Sequence, residues 1–215
     1  MGELRRCQVY RELVSVSLGE ETTLVFQVRI HGRGGQGVVT AAELLAQAGF
    51  DEGAHAQAFP SFGSERTGAP VVAFCRIADK EIRVREPIMV PDAVIVQDET
   101  LLRAVDVFAG LKSTGFVLIN SMRTFDELGL GQYSDAGDRF ITVPATQLAM
   151  EHLGRPVPNA VLLGAFAALT KVVSLKSVTD AIRERFSAKL ADGNCAAATA
   201  AYEFVAKQLE GSARV

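Results

Sequence analysis

Four glycines within six residues, in the stretch HGRGGQGVVTAAELLAQAG (31–49), constrain this chain more than any other feature. The run before them, LVFQVRI (24–30), alternates in part and is rich in strand-forming residues, which predicts a strand. The run after them predicts a helix: Val38, Ala41, Ala42, Leu45 and Ala48 recur at spacings of three and four, and Gly49 can close it. A strand, a glycine turn and a helix in that order aim backbone N–H groups and a helix N-terminus at one point, a geometry that favours an anion, usually a phosphate. Gly32, Gly34 and Gly37 fit the G-x-G-x-x-G spacing of a dinucleotide-binding turn. Gly34 and Gly35 admit the close approach of an anion or of another chain, and Arg33 offers a positive charge beside Gln36. A tight turn packed on a neighbouring chain has the same sequence, so both readings stand at this point.

A bound NAD needs more than the turn. The dinucleotide pattern places an acidic residue about twenty positions on, at the end of the second strand, to hold the ribose hydroxyls. Here AHAQAF (54–59) is the second predicted strand, and Pro60 and Ser61 follow it. Asp51 and Glu52 precede that strand, so the dinucleotide pattern is incomplete where it is most specific.

The loop after the second strand, PSFGSERTGAP (60–70), is the second unusual feature. Phe59 and Phe62 are costly to leave in water unless they cover something. Ser61, Ser64, Arg66 and Thr67 can bind phosphate oxygens, and Glu65–Arg66 also reads as an ordinary surface ion pair. In a doubly wound sheet, loops leaving the carboxyl ends of neighbouring strands share one crevice, so this loop and the glycine turn are expected to face one ligand or one subunit.

Further along, VVAFCRIAD and EIRVR predict a hairpin turning at Asp79–Lys80. DAVIVQD (92–98), GFVLIN (115–120) and RFITVP (139–144) predict buried strands, and ETLLRAVDVFAG a helix between the first two. The last seventy or so residues turn helical: ATQLAMEHLG, NAVLLGAFAALT with Asn159 as cap, SLKSVTDAIRERF with Ser174 as cap, and NCAAATAAYEFVAKQLEG. The expected fold is α/β: a mostly parallel, mixed sheet flanked by helices, Rossmann-like and doubly wound, with a helical C-terminal part. Residues 1–23 read as an N-terminal extension with a short strand in VYRELVSVSL, and 24–215 as one α/β domain.

Composition closes off other classes. Of 215 residues, 48% are apolar, enough for a sizeable core, while a net charge of -3 spread along the chain gives no footprint for nucleic acid. No apolar run is long enough for a membrane span, and the N-terminus lacks the apolar stretch of a signal peptide, so a cytoplasmic chain is expected. Cys7, Cys75 and Cys195 are too few for an iron–sulfur cluster held by this chain alone. Cys75 reads as a small core residue. His31, His55 and His152 form no metal or catalytic set and read as structural or solvated. No nucleophile, base and orienting group stand together, so no self-contained active site is expected and no metal site.

Taken together, GRGGQGVVTAAELLA and AQAFPSFGSERTGAPVVAF resemble the gamma subunit of the 2-oxoacid:acceptor oxidoreductases, the family that includes pyruvate:ferredoxin oxidoreductase (pyruvate synthase). The likeness continues through IRVREPIMVPDAVIVQDETLL (82–102), GFVLIN and VPNAVLLGAFAALT, about residues 25 to 186. It implies a non-catalytic part of a complex that converts a 2-oxoacid (pyruvate or an aromatic one such as phenylglyoxylate) and coenzyme A to an acyl-CoA and carbon dioxide, passing electrons to ferredoxin. Thiamine diphosphate with Mg belongs in that family to alpha and beta subunits, and [4Fe-4S] clusters to delta or beta. An added flavin subunit would route electrons to NAD. This chain is then expected to bind no cofactor alone and to help receive coenzyme A, whose pyrophosphate suits a turn without the ribose-binding acid. The matching positions are Gly32, Arg33, Gly34, Gly35, Gln36 and Gly37, with Phe59, Pro60, Ser61, Phe62, Gly63, Glu65, Arg66, Gly68 and Pro70. Ser64 and Thr67 depart from it, standing where proline and arginine are usual, and the lost arginine weakens any phosphate contact there. A purely structural scaffold subunit is the alternative.

Overall fold

The structure, a computed structural model, describes residues 24–61 and 67–212. The readings of residues 1–23 and of Phe62, Gly63, Ser64, Glu65 and Arg66 lie outside the described residues. The sheet has six strands: β1 (Val25–Arg33), β2 (His55–Pro60), β3 (Pro70–Ala78), β4 (Ala93–Val96), β5 (Phe116–Asn120) and β6 (Phe140–Val143). Their order is β2-β3-β1-β4-β5-β6. β1, β4, β5 and β6 run parallel, whereas β3 is antiparallel to both β1 and β2, so the sheet is mixed as expected.

The helices are α1 (Val38–Asp51), α2 (Ala145–Leu153), α3 (Asn159–Thr170), α4 (Leu175–Arg185) and α5 (Ala188–Ser212). Phe26, Val28 and Ile30 of β1 point to the helical face, into one core with Leu45, Phe166, Ile182 and Val205. α3 is buried along its whole length, which explains why its sequence is apolar all round. The alanine stripe of α5 is core packing. Ala198 comes so close that a Cβ on Gly164 of α3 would lie 1.9 Å from its carbonyl oxygen.

The opposite face is covered differently. Val94, Val96, Val117 and Ile119 pack there against Leu101, Val107 and Leu130 from turns and loops. Over β1 and β3 two buried arginines do the covering. Arg29 donates to the carbonyls of Ile88, Val107 and Ala109, and Arg76 to those of Val84 and Glu86.

These arginines account for two differences from the sequence reading. EIRVR is not the second arm of a hairpin, because both edges of β3 are already paired with β1 and β2. The segment is instead irregular, with the Val84 carbonyl and that of the following Glu86 held by Arg76. ETLLRAVDVFAG is not one helix either: a 3-10 turn, Glu99–Arg103, is followed by irregular chain. The Asp106 carboxylate accepts from the Phe108 N–H, and Arg29 takes the carbonyls of Val107 and Ala109, so the backbone has partners outside a helix. Elsewhere the expected elements form. Ser174 caps α4 as predicted, accepting from the Ser177 N–H. α5 begins earlier, at Ala188.

Candidate functional site

β1 runs three residues beyond its predicted end, to Arg33, so Gly32 lies inside the strand. A Cβ there would meet Val38 at 2.5 Å, Gln97 Oε1 at 3.1 Å and Gln36 Oε1 at 3.2 Å. Gly37 has φ 72°, caps α1 without any side-chain bond, and would place a Cβ 2.4 Å from Asn159 Nδ2. Asn159 is therefore the first residue of α3 and not its cap. Its Oδ1 accepts from the Ala160 N–H while its amide packs on the turn. Gly35, at φ 94°, has open space where a side chain would stand.

The turn meets the end of the second loop. The Gly34 N–H donates to Ala69 O at 2.9 Å, the Gly68 N–H donates back to Gly34 O at 3.1 Å, and Arg33 Nη1 reaches Gly68 O at 2.9 Å. Thr67 bridges Gly34 and is exposed. Ser61 extends the β2–β3 pairing through its N–H to Val72 O. Phe59 lies 5.2 Å from the Phe74 ring, with the Arg76 guanidinium over its own ring, so it packs within the chain.

Arg33 is neither solvated nor free. Its Nε and Nη2 donate to Thr100 Oγ1, and Nε lies 3.3 Å from Asp98 Oδ2. Asp98 accepts from the Thr100 N–H and hydroxyl and from Gln36 Nε2. Burial pushes the Asp98 carboxyl up, but the bonds from Thr100 and Gln36 and the charge of Arg33 prevail and leave it below the ordinary carboxylate value. Glu99 behaves alike: burial raises it, and Ser121 and Arg123 overcome that. In each of these two acid–base pairs at the carboxyl edge of the sheet the charges offset one another.

Gln36 occupies the turn itself. Its Oε1 accepts the Arg33 N–H at 2.7 Å. Gln97, 1% exposed at the end of β4, has neither side-chain amide atom paired. His31 is buried and takes a hydrogen bond from Arg29 Nε at 3.0 Å. Burial and then the Arg29 charge lower its pKa to about 4, so it is neutral. His55 and His152 are exposed. Cys75 is fully buried, its thiol pushed far up by burial. Among the described residues no group of three or more His, Cys, Asp or Glu could hold a metal ion, and no helix is long and apolar enough to cross a membrane.

Sequence reasoning missed Gln97, Asp98, Thr100, Ser121 and Asn159. The first three follow a buried strand in QDET, and they sit where β1 and β4 run parallel and the chain order reverses. That is the position where open α/β sheets carry their ligands. The signal was present, but the order of the strands was not.

The fold is an α/β domain that gathers the glycine turn, the end of the second loop and the Asp98 and Glu99 ion pairs at the carboxyl edge of its sheet. Residues 27–204 match the pyruvate ferredoxin/flavodoxin oxidoreductase family. The chain belongs to that family, as its gamma-type subunit, a part of an oxidoreductase complex. It is 50% identical over 179 residues to pyruvate synthase subunit PorC of Methanothermobacter marburgensis, covering 83% of this chain and 97% of that one. It is 48% identical over 179 residues to the common gamma subunit of the pyruvate/ketoisovalerate oxidoreductases of Pyrococcus furiosus, covering 83% and 96%. Among solved structures it is similar to pyruvate oxidoreductase subunit PORC of Thermotoga maritima, with TM-score 0.70, 36% identity and coverage of 83% and 96%.

Proposed function

We propose that this chain serves the oxidative decarboxylation of a 2-oxoacid, of the pyruvate or branched-chain type, with coenzyme A as acyl acceptor. In that reaction the bond between the carboxylate and the carbonyl carbon breaks and carbon dioxide leaves. Two electrons pass to a ferredoxin-type acceptor, and the thiol sulfur of coenzyme A takes the acyl group as its proton is released. Thiamine diphosphate with Mg, and [4Fe-4S] clusters, would be supplied by alpha, beta and delta subunits. This chain's part is to seat coenzyme A at the carboxyl edge of its sheet.

One observation carries the reading: the glycine turn is joined to the end of the second loop by the Gly34–Ala69 and Gly68–Gly34 hydrogen bonds, beside the uncapped start of α1. The Gly34 and Gly68 N–H groups are spent on those bonds, which fix the turn; the N–H groups of the first turn of α1, left without a side-chain cap, are the ones that suit a pyrophosphate. The neutralised pairs Arg33–Asp98 and Arg123–Glu99 favour a second reading, in which the same edge only docks on a neighbouring subunit.

Gly35 separates the two. Gly35→Asp and Gly35→Asn impose the same backbone strain and differ by one negative charge. If a phosphate lies at the turn, the assembled enzyme shows a KM for coenzyme A at least about fivefold higher with Asp than with Asn. Equal KM values would leave the scaffold reading.

A further inference from the structure

We propose that Gln36 is a built-in stand-in for a ligand oxygen at the glycine turn, and that Gln97 is the group that receives it when the ligand arrives. The proposal rests on the coenzyme A reading above and deepens it.

The turn satisfies itself. Arg33 offers its N–H at the point where a phosphate-binding turn presents backbone donors, and Gln36 Oε1 takes that N–H at 2.7 Å. Gln36 is held on its other side by one bond, from Nε2 to Asp98 Oδ2 at 2.9 Å, and the residue is only partly buried. An incoming anion oxygen can therefore replace it without moving the core.

Beneath the turn lies an unexplained amide. Gln97 is 1% exposed, and neither its Nε2 nor its Oε1 has a hydrogen-bond partner. A buried unpaired amide destabilises the fold, and an apolar side chain of the same shape would remove that penalty. The unpaired atoms are not remote from the turn. Gln97 Oε1 and Gln36 Oε1 both lie within 3.2 Å of the point where a Cβ on Gly32 would stand. The absence of a side chain at Gly32 is what lets the two amides gather there. When a phosphate oxygen takes the Arg33 N–H, Gln36 Oε1 loses its donor; the Gln97 amide, turned over so that Nε2 takes the place of Oε1, supplies a nearby donor without an acceptor. The free state leaves both Gln97 amide atoms unpaired, and the exchange pairs its Nε2 with Gln36 Oε1 in the ligated state. Gln97 is thus a positioning residue: it acts through Gln36 and the turn without touching the ligand.

The test uses Gln97→Met and Gln97→Leu, apolar replacements of different shape, in the purified full chain for stability and in the assembled oxidoreductase for kinetics. Removing the unpaired amide should raise the Tm of at least one variant by about 2–4 °C. The same variant should raise the KM for coenzyme A about tenfold, with a smaller change in kcat. In a Gln36→Ala background, where nothing remains to be received, the Gln97 substitution should leave KM unchanged. A Tm that falls or stays level in both variants overturns the proposal, because the amide then has partners in the free state. An unchanged KM overturns it, as does a KM effect that persists without Gln36, which marks a merely structural role. The Gly35 pair keeps the two ideas apart. If Gly35→Asp and Gly35→Asn differ while Gln97 has no effect, only the exchange fails. If they do not differ, the coenzyme A reading fails first.

Discussion

The side-chain amide of Asn159 lies 2.4 Å from where a Cβ on Gly37 would stand, across 122 residues of sequence. That contact locks the start of α3 onto the turn that begins α1. It makes Gly37 doubly intolerant, since its φ of 72° is one that side-chain-bearing residues adopt at a cost. Gly37→Ala should destabilise the chain by about 2–4 kcal/mol, read as a lowered urea midpoint at unchanged slope.

The crossing of α3 and α5 gives a purely steric prediction. With Ala198 O only 1.9 Å from a Cβ at position 164, Gly164→Ala must force the helices apart. About 3 kcal/mol should be lost, with Tm lowered by about 10 °C. A variant as stable as the parent would show that the helices do not pack this closely.

Arg29 is the fastener of the irregular face. Arg29→Met removes the donor from the carbonyls of Ile88, Val107 and Ala109 and from His31 Nε2. A loss of about 3 kcal/mol is expected in chemical denaturation. Amide exchange should rise in residues 86–91 and 105–110 before it rises in the helices.

His31 makes stability depend on pH. Its folded pKa, about 4, is below the unfolded 6.5, chiefly through burial and then through the Arg29 charge, with Asp106 opposing. Between those values the unfolded chain binds a proton that the folded chain does not, so stability rises with pH. The contribution is complete above about pH 6.5 and is lost as pH falls towards 4, to the extent of about 3 kcal/mol. His31→Gln keeps an acceptor for Arg29, so its loss of stability across this window should be smaller than the parent's by a similar amount.

Much of this was legible in the residues because local chemistry decided it. The β1–turn–α1 unit, the capping Ser174 and the buried strands β4 and β5 are written in short-range patterns that the tertiary structure did not override. The failures share one cause. Whether EIRVR pairs with β3 depends on β1 and β2 already occupying both edges, and whether ETLLRAVDVFAG stays helical depends on Arg29, more than seventy residues away. The candidate site divides in the same way. Its glycines announce themselves, whereas Gln97, Asp98 and Asn159 become neighbours only through the strand order and the placement of α3.

If coenzyme A sits at the glycine turn of this subunit, amide hydrogen exchange on the assembled oxidoreductase will register it there. On adding coenzyme A without 2-oxoacid, the amides of Gly34–Val38 and Thr67–Ala69 should slow, while those of the α3–α5 crossing stay unchanged. Saturating coenzyme A that leaves exchange at the turn unaltered would contradict binding there and make this edge a surface for assembly alone.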